Sequence, residues 1–193
     1  MKVLERIETE RLVLRRPRPA DAEAIFDRYA SDPEVTRFLA WPLHENVAAT
    51  RAFLAFSDAE WQRWPAGPYL VEDREDGRLL GSTGLAFKTP DRASTGYVFA
   101  KDAWGKGYAT EALVAMVGVA RDAGVTRLCA FCHVDHAASR RVLEKCGFRR
   151  EGSAPFEFPN LPPDASRDAY RYARTVGFRG ELSAEGTARK PVT

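Results

Sequence analysis

The hydrophobic and polar positions of this chain divide it into short strands and amphipathic helices. Thr9-Glu10-Arg11-Leu12-Val13-Leu14-Arg15 reads as a first strand at a sheet edge, broken by Arg16-Pro17-Arg18-Pro19. Asp21 stands in the first turn of a helix to about Tyr29, with Ala24, Ile25 and Tyr29 at helical spacing. Ser31-Asp32-Pro33-Glu34 opens a short helical piece through Phe38, and Trp41 to His44 is a loop. Asn46 caps a long helix to about Trp64, with an apolar stripe of Val47, Thr50, Leu54 and Trp61. Tyr69–Glu72 and Arg78–Phe87 are two antiparallel strands joined through Glu75-Asp76-Gly77, a strong hairpin signal. Thr95–Ala100 is a strand that runs through a two-glycine turn into a helix ending near Ala123. That helix has Leu113, Met116, Val117 and Ala120 on one face and Gly124 past its end. Leu128–Val134 is a buried strand and Ala137–Cys146 a helix closed by Gly147. Phe148 begins another strand, and residues 155–163 form a proline-rich loop. Asp168–Val176 is the last strand, with Tyr170 and Tyr172 on the face opposite Ala169 and Arg171. This order predicts a mixed α/β fold rather than a regularly alternating doubly wound sheet.

Composition changes this picture little. A chain of 193 residues, 45% hydrophobic and 29% charged, is long enough for one domain with a substantial core. The reading is a single domain over residues 1–180 and a polar tail from 181 to 193, too aperiodic to pack. The net charge of +2 gives no reason to expect nucleic acid or a membrane surface as partner. The first residues carry charges with no apolar run behind them, unlike a signal peptide. No stretch approaches the roughly 18 apolar residues of a membrane span. The expectation is a cytoplasmic protein, monomer or homodimer. The three cysteines, Cys129, Cys132 and Cys146, are too few and odd in number for a disulfide framework. Cys129 and Cys132 have Cys-x-x-Cys spacing but lie on a strand, where residues three apart face opposite ways. They are read as small hydrophobes, and no metal site is expected.

The chemistry concentrates at Tyr97-Val98-Phe99-Ala100-Lys101-Asp102-Ala103-Trp104-Gly105-Lys106-Gly107-Tyr108-Ala109-Thr110. Two glycines let the backbone take positive φ and approach a ligand closely. The helix behind them leaves its first N–H groups without intrahelical partners, and Lys106 adds charge, so the turn suits a phosphate or pyrophosphate. A P-loop would need Lys directly after its last glycine, whereas Lys106 lies between the two. A dinucleotide fingerprint would need a third glycine at Thr110 and a first-strand position, and has neither.

Trp104-Gly105-Lys106-Gly107-Tyr108-Ala109 resembles the Gln/Arg-x-x-Gly-x-Gly/Ala signature of the GNAT superfamily of N-acetyltransferases, with Trp104 in the Gln/Arg place. The wording Trp-Gly-Lys-Gly-Tyr-Ala-Thr-Glu-Ala is similar to the ribosomal-protein-alanine N-acetyltransferase branch. Four more segments fit that branch in order. They are Thr9 to Arg15, Gly81-Ser82-Thr83-Gly84-Leu85, Ser139-Arg140-Arg141-Val142-Leu143-Glu144-Lys145-Cys146-Gly147-Phe148, and Arg167 to Arg174. Together they cover about residues 8–178. The resemblance implies a central, mostly antiparallel sheet with one splayed strand pair and helices on both faces. It implies acetyl transfer from acetyl-CoA, as co-substrate, to a primary amine of a protein N-terminus or small molecule, by direct attack in a ternary complex.

On that resemblance the pyrophosphate rests on Trp104, Gly105, Lys106, Gly107, Tyr108, Ala109 and Thr110, while the pantetheine arm pairs with Val98, Phe99 and Ala100. The N–H of Val98 or Phe99 then stabilises the oxyanion, and Lys106, Arg140 or Arg141 meets CoA phosphates. Many members place a tyrosine near the sulfur; its position here is Glu144. The branch uses a serine instead, and Ser139 matches it as acid or sulfur contact. His136 stands where the branch has Asn and retains one hydrogen bond to offer the cofactor. Ser94 stands where a glutamate often serves the amine, and a serine alone is no base at neutral pH. The base is then elsewhere or is bulk water, with His44, His133 and Glu45 as candidates. Trp41, His44, Trp64, Tyr69, Phe156 and Phe158 are candidates for lining the acceptor side. The missing carboxylate keeps a second reading open, a non-catalytic acyl-CoA-binding sensor or interaction module.

Overall fold

The computed structural model describes residues 3–177; the tail expected from residue 181 lies outside them. One eight-stranded sheet contains β1 (Arg6–Glu8), β2 (Leu12–Arg15), β3 (Pro68–Asp73), β4 (Leu79–Thr89), β5 (Arg92–Phe99), β6 (Arg127–His133), β7 (Arg149–Pro155) and β8 (Asp168–Thr175). Their spatial order is β1-β2-β3-β4-β5-β6-β8-β7, and every neighbouring pair is antiparallel except β5 and β6. The helices are α1 (Ala22–Ile25), α2 (Pro33–Thr36), α3 (Val47–Arg63), α4 (Tyr108–Asp122) and α5 (Ala137–Lys145).

Alternation along the strands sends successive side chains to two separate cores. Leu12, Leu14, Val71 and Phe99 meet Leu113 and Met116 of α4 and Leu143 of α5 on one face. Leu70, Leu79 and Val98 meet Ile25, Tyr29 and Leu54 on the other. Each such burial contributes roughly 1.5–3 kcal/mol before chain entropy is set against it. Helix ends fall where local chemistry places them. Asn46 accepts from the Ala49 N–H at 3.1 Å, and Asp32 accepts from Glu34 and Val35 ahead of α2. Gly124 and Gly147 take positive φ past α4 and α5.

The strand expected at the sheet edge is β2, which lies inside β1, and two stretches differ in their local structure. Residues 9–11 are a hairpin turn between β1 and β2 rather than strand, because Thr9 folds back on Leu12 through both its N–H and its hydroxyl. The helix expected from Asp21 to Tyr29 begins as a 3-10 turn at Pro19–Asp21. It widens after α1 into a π turn at Phe26–Ala30, with the Ser31 N–H reaching back to Phe26 O.

The feature that positions the site is the parallel pair. β5 and β6 are paired only at Arg92–Ser94 with Arg127–Cys129. β5 continues to Phe99 and β6 to His133, so their carboxyl ends splay apart. α4 and α5 begin just beyond these ends. On the other side of β5, β4 holds its register to Gly81, beside a bulge at Leu80.

Candidate active site

The two-glycine turn lies directly after β5. Gly105 and Gly107 have φ of +75° and +82°, a region that a side chain makes costly. No side chain caps α4, whose N-cap is Gly107 itself. Its first backbone N–H groups therefore stay available at the positive end of the helix dipole, which fits a pyrophosphate. The turn is clamped from the β1–β2 hairpin. Glu111, in the first turn of α4, accepts from the Thr9 hydroxyl (2.6 Å), the Arg11 N–H (2.9 Å) and Arg11 Nε (2.8 Å). Arg11 Nη1 also donates to Lys106 O at 2.9 Å, and its guanidinium lies over the Tyr108 ring. Tyr108 donates to Asp73. Trp104 is half exposed, yet its indole N–H donates to Phe99 O at 2.7 Å, bracing the strand end against the turn.

Within β5 the direction of each backbone group follows from one hydrogen bond. The Ala100 N–H donates to Leu80 O at 2.9 Å, so Val98, two residues earlier, also points its backbone groups at β4. Tyr97 and Phe99 point theirs the other way, into the gap left by β6. Of the two oxyanion donors considered from the sequence, the Phe99 N–H faces the splay and the Val98 N–H belongs to the β4 ladder.

Ser139, in the first turn of α5, meets the Tyr97 hydroxyl, with Oγ at 2.9 Å and its carbonyl at 3.2 Å. Burial raises the Tyr97 pKa, so the phenol keeps its proton. His136 is half-buried against Phe38, with ring centroids 4.9 Å apart. Burial first, and the neighbouring His133 second, push its pKa down to about 4, so it is a neutral imidazole. Arg140 lies over the Tyr170 ring at 5.7 Å, sharing that ring with Arg150, and Arg141 is exposed.

The histidines differ sharply. His133 is buried, with Nε2 3.0 Å from Ser166 O and Nδ1 accepting from the Asp135 N–H at 3.1 Å. Both ring nitrogens are committed to neighbouring backbone, which fixes the Nε2–H tautomer. His133→Gln is expected to lower stability by about 1 kcal/mol through imperfect replacement of those two bonds, and to leave the pH profile of turnover unchanged. Loss of an ascending limb in that profile would instead mark His133 as a base. His44 is buried beside Trp41 and shares a hydrogen bond between Nδ1 and the Thr50 hydroxyl at 2.9 Å. Desolvation lowers its pKa, so it is neutral at pH 7 with Nε2 uncommitted among the described residues. Glu45 is exposed.

The opposite face of the sheet carries Ser94, level with Cys129, and then Phe131 further along β6. Above it opens a cleft of about 910 Å³ lined by Ala40, Pro155, Phe156, Glu157, Phe158, Pro159 and Arg167. Phe156 stacks on Phe131 at 4.8 Å, and Phe158 meets His133 edge-on. Arg167 braces the loop by donating to carbonyls of Phe158, Leu161 and Pro162. Asn160 ties the same loop to the backbone of Thr36, Trp41 and Leu43. Trp64 stacks on Phe87, and Tyr69 is buried with its hydroxyl on Leu4 O, so both serve packing away from this cleft. Sequence reasoning missed Glu157, Arg167 and the Tyr97 hydroxyl. The alternation of β5 could have flagged Tyr97, because Tyr97 and Phe99 must share a face.

Among the described residues, no helix is long and apolar enough to cross a membrane. The profile of the acetyltransferase (GNAT) domain family matches residues 11–149. A relative, the uncharacterized N-acetyltransferase YoaA of Bacillus subtilis (strain 168), is 34% identical over 150 residues, which are 76% of this chain and 84% of that protein. Among solved structures, a GNAT-family acetyltransferase from Bacillus anthracis superposes with a TM-score of 0.76 at 27% identity, covering 88% of this chain and 98% of that one. RimL, a ribosomal L7/L12 alpha-N-protein acetyltransferase in complex with coenzyme A, superposes with a TM-score of 0.78 at 23% identity, covering 89% and 98%.

Proposed function

This chain belongs to the GNAT acetyltransferase family, an acyltransferase with acetyl-CoA as co-substrate, and from that premise we propose that it acetylates a primary amine by direct attack in a ternary complex. The observation that carries the reading is the splay itself. Beyond the last β5–β6 pair, the Phe99 N–H faces the space left by β6, Tyr97 meets Ser139 of α5, and the two-glycine turn follows directly on β5; in this reading the aromatic cleft beside Phe131 is the way in for the acceptor. The backbone from Gly105 to Thr110 would hold the pyrophosphate and Lys106 would add charge. Tyr97 to Ala100 would hold the pantetheine arm like an added strand. The Phe99 N–H is directed to stabilise the carbonyl oxygen as it gains charge, a contribution of about 3 kcal/mol in comparable acyl transfers. Ser139 would serve the sulfur. His136, neutral, keeps one donor and one acceptor for the cofactor.

The amine enters from the cleft. Glu157, at its wall, and the faces of Phe156 and Phe158 suit an ammonium carried on an apolar body. That amine must be neutral to attack. Ser94 offers no base, and of the two histidines read as bases His44 is the one with a ring nitrogen uncommitted among the described residues.

The test is release of CoA thiol from acetyl-CoA across a panel of small amines and peptide N-termini. At least one acceptor is expected to raise release tenfold or more above the acceptor-free rate. Ser139→Ala should then lower kcat about tenfold, or about 1.4 kcal/mol, with the KM for acetyl-CoA within twofold. Tight CoA binding with silence across the whole panel would reject transfer in favour of an acyl-CoA-binding module, the reading that Ser94 favours.

A further inference from the structure

We propose that Tyr97 is the positioning residue of the leaving-group site: its phenol donates to Ser139 and thereby directs the Ser139 hydroxyl hydrogen at the sulfur of CoA. This rests on the reading above, in which Ser139 lies beside that sulfur. A phenol and a serine hydroxyl each carry one hydrogen and two lone pairs. A serine hydroxyl rotates to suit its partners, so its hydrogen has no fixed direction of its own. Tyr97 reaches Ser139 from β5, beyond the point where β5 and β6 part, and its oxygen is 2.9 Å from Oγ and 3.2 Å from the Ser139 carbonyl. The phenol's one hydrogen has two acceptors on Ser139, and in this proposal it goes to the nearer, Oγ; the serine hydrogen is then left for the gap, with the Cys132 thiol as its other neighbour. α5 supplies no phenol of its own here. Toward its end α5 carries Glu144, whose carboxylate accepts from the Tyr172 hydroxyl at 3.1 Å. The tyrosine comes instead from the strand that binds the arm.

The pair acts as a donor and keeps its protons. Burial raises the phenol's pKa, and a group that remains protonated over the working range donates a hydrogen bond at every pH where the enzyme is stable. The groups facing it are Cys132 on β6, Tyr172 on β8, and Cys146 at the end of α5, with Arg140 and Glu144 at the margin. Burial raises the Cys132 and Cys146 thiols as well, so Arg140 and Glu144 are the charges nearby. When the amine nitrogen bonds to the acetyl carbon and the carbon–sulfur bond breaks, the electron pair stays on sulfur. The Ser139 hydroxyl stabilises that thiolate by a hydrogen bond. The proton that the nitrogen loses goes to solvent, and solvent returns one to the sulfur, so amide and thiol are formed without a change in Tyr97 or Ser139.

The first measurement needs no acceptor; the kcat comparison uses the acceptor found in the panel above. The thiolate absorbance of CoA bound to the intact protein is titrated against pH and referenced to the complex with desulfo-CoA, which cancels the protein's own thiols. Bound CoA is expected to ionise about one pH unit below free CoA, a tenfold change. Ser139→Ala should abolish that shift. Tyr97→Phe, which keeps the ring and its packing, should remove most of it, lower kcat about fivefold, and leave CoA affinity within twofold at pH 6. A wild-type shift that survives Tyr97→Phe intact would overturn the proposal while leaving the acetyltransferase reading untouched. A descending limb in kcat that vanishes in Tyr97→Phe would overturn it too, by showing a phenol that gives up its proton. Failure of the wild type to bind CoA would overturn both.

Discussion

Gly81→Ala is expected to destabilise the fold by about 4 kcal/mol and to remove acetyl transfer in whatever fraction still folds. A Cβ at Gly81 would lie 2.1 Å from Val98 O and 2.9 Å from Phe99 Cα, both backbone atoms that no side-chain rotation can withdraw. The strands must separate where β4 bulges at Leu80, and the residues displaced are those that aim the Phe99 N–H into the splay. A shift of this size is a loss of roughly 8–16 °C in Tm for a domain of this length. Gly96→Ala is the matched control on β5, because its Cβ would have no atom within 4 Å. It should stay within about 0.5 kcal/mol of wild type. Urea unfolding of the two variants decides the point. Equal midpoints would mean that the close approach at Gly81 is not what holds β4 to β5.

The sequence made some of this visible and hid the rest for physical reasons. Period-two and period-3.6 patterns marked most strands and helices, and the glycines at 105, 107, 124 and 147 all take the positive φ for which only glycine is suited. The parallel pair and its splay came from resemblance, since hydrophobic alternation is blind to where two strands stop pairing. The orientation of the Val98 and Phe99 N–H groups needed the Ala100–Leu80 bond, a fact of register rather than of residue type. His133 stood with His44 and Glu45 among the candidate bases, yet its partners are a carbonyl 33 residues away and an N–H two residues on. No local pattern announces the first of these. The hairpin clamp is the same case on a larger scale. Thr9 and Arg11 fit a recurrent opening segment, but nothing near them in sequence says that Glu111 is their partner.

Glu111→Gln is expected to lower stability near neutral pH by about 2 kcal/mol and to weaken CoA binding about tenfold. Partial burial works to raise the Glu111 pKa, but hydrogen bonds from Thr9 and Arg11 outweigh it and hold the carboxyl below its ordinary value. The folded pKa thus lies beneath that of the unfolded chain. The stabilisation is complete above the unfolded value and is lost as pH falls through the folded one. Glutamine imitates the protonated carboxyl, so the gap between variant and wild type should close in acid and be widest at neutral pH. Arg11 is partly exposed, which adds a salt dependence to the gap. The loss of CoA affinity follows from the same contacts. Arg11, anchored by Glu111, holds Lys106 O at 2.9 Å, and so fixes the turn whose N–H groups would face the pyrophosphate. Urea unfolding at a series of pH values, with calorimetry of CoA binding at pH 7.5, measures both effects. A stability gap that stays constant down to acid pH would show that the carboxylate charge contributes nothing. Unchanged affinity beside a closing gap would show that the clamp serves the fold and leaves the turn in place without it.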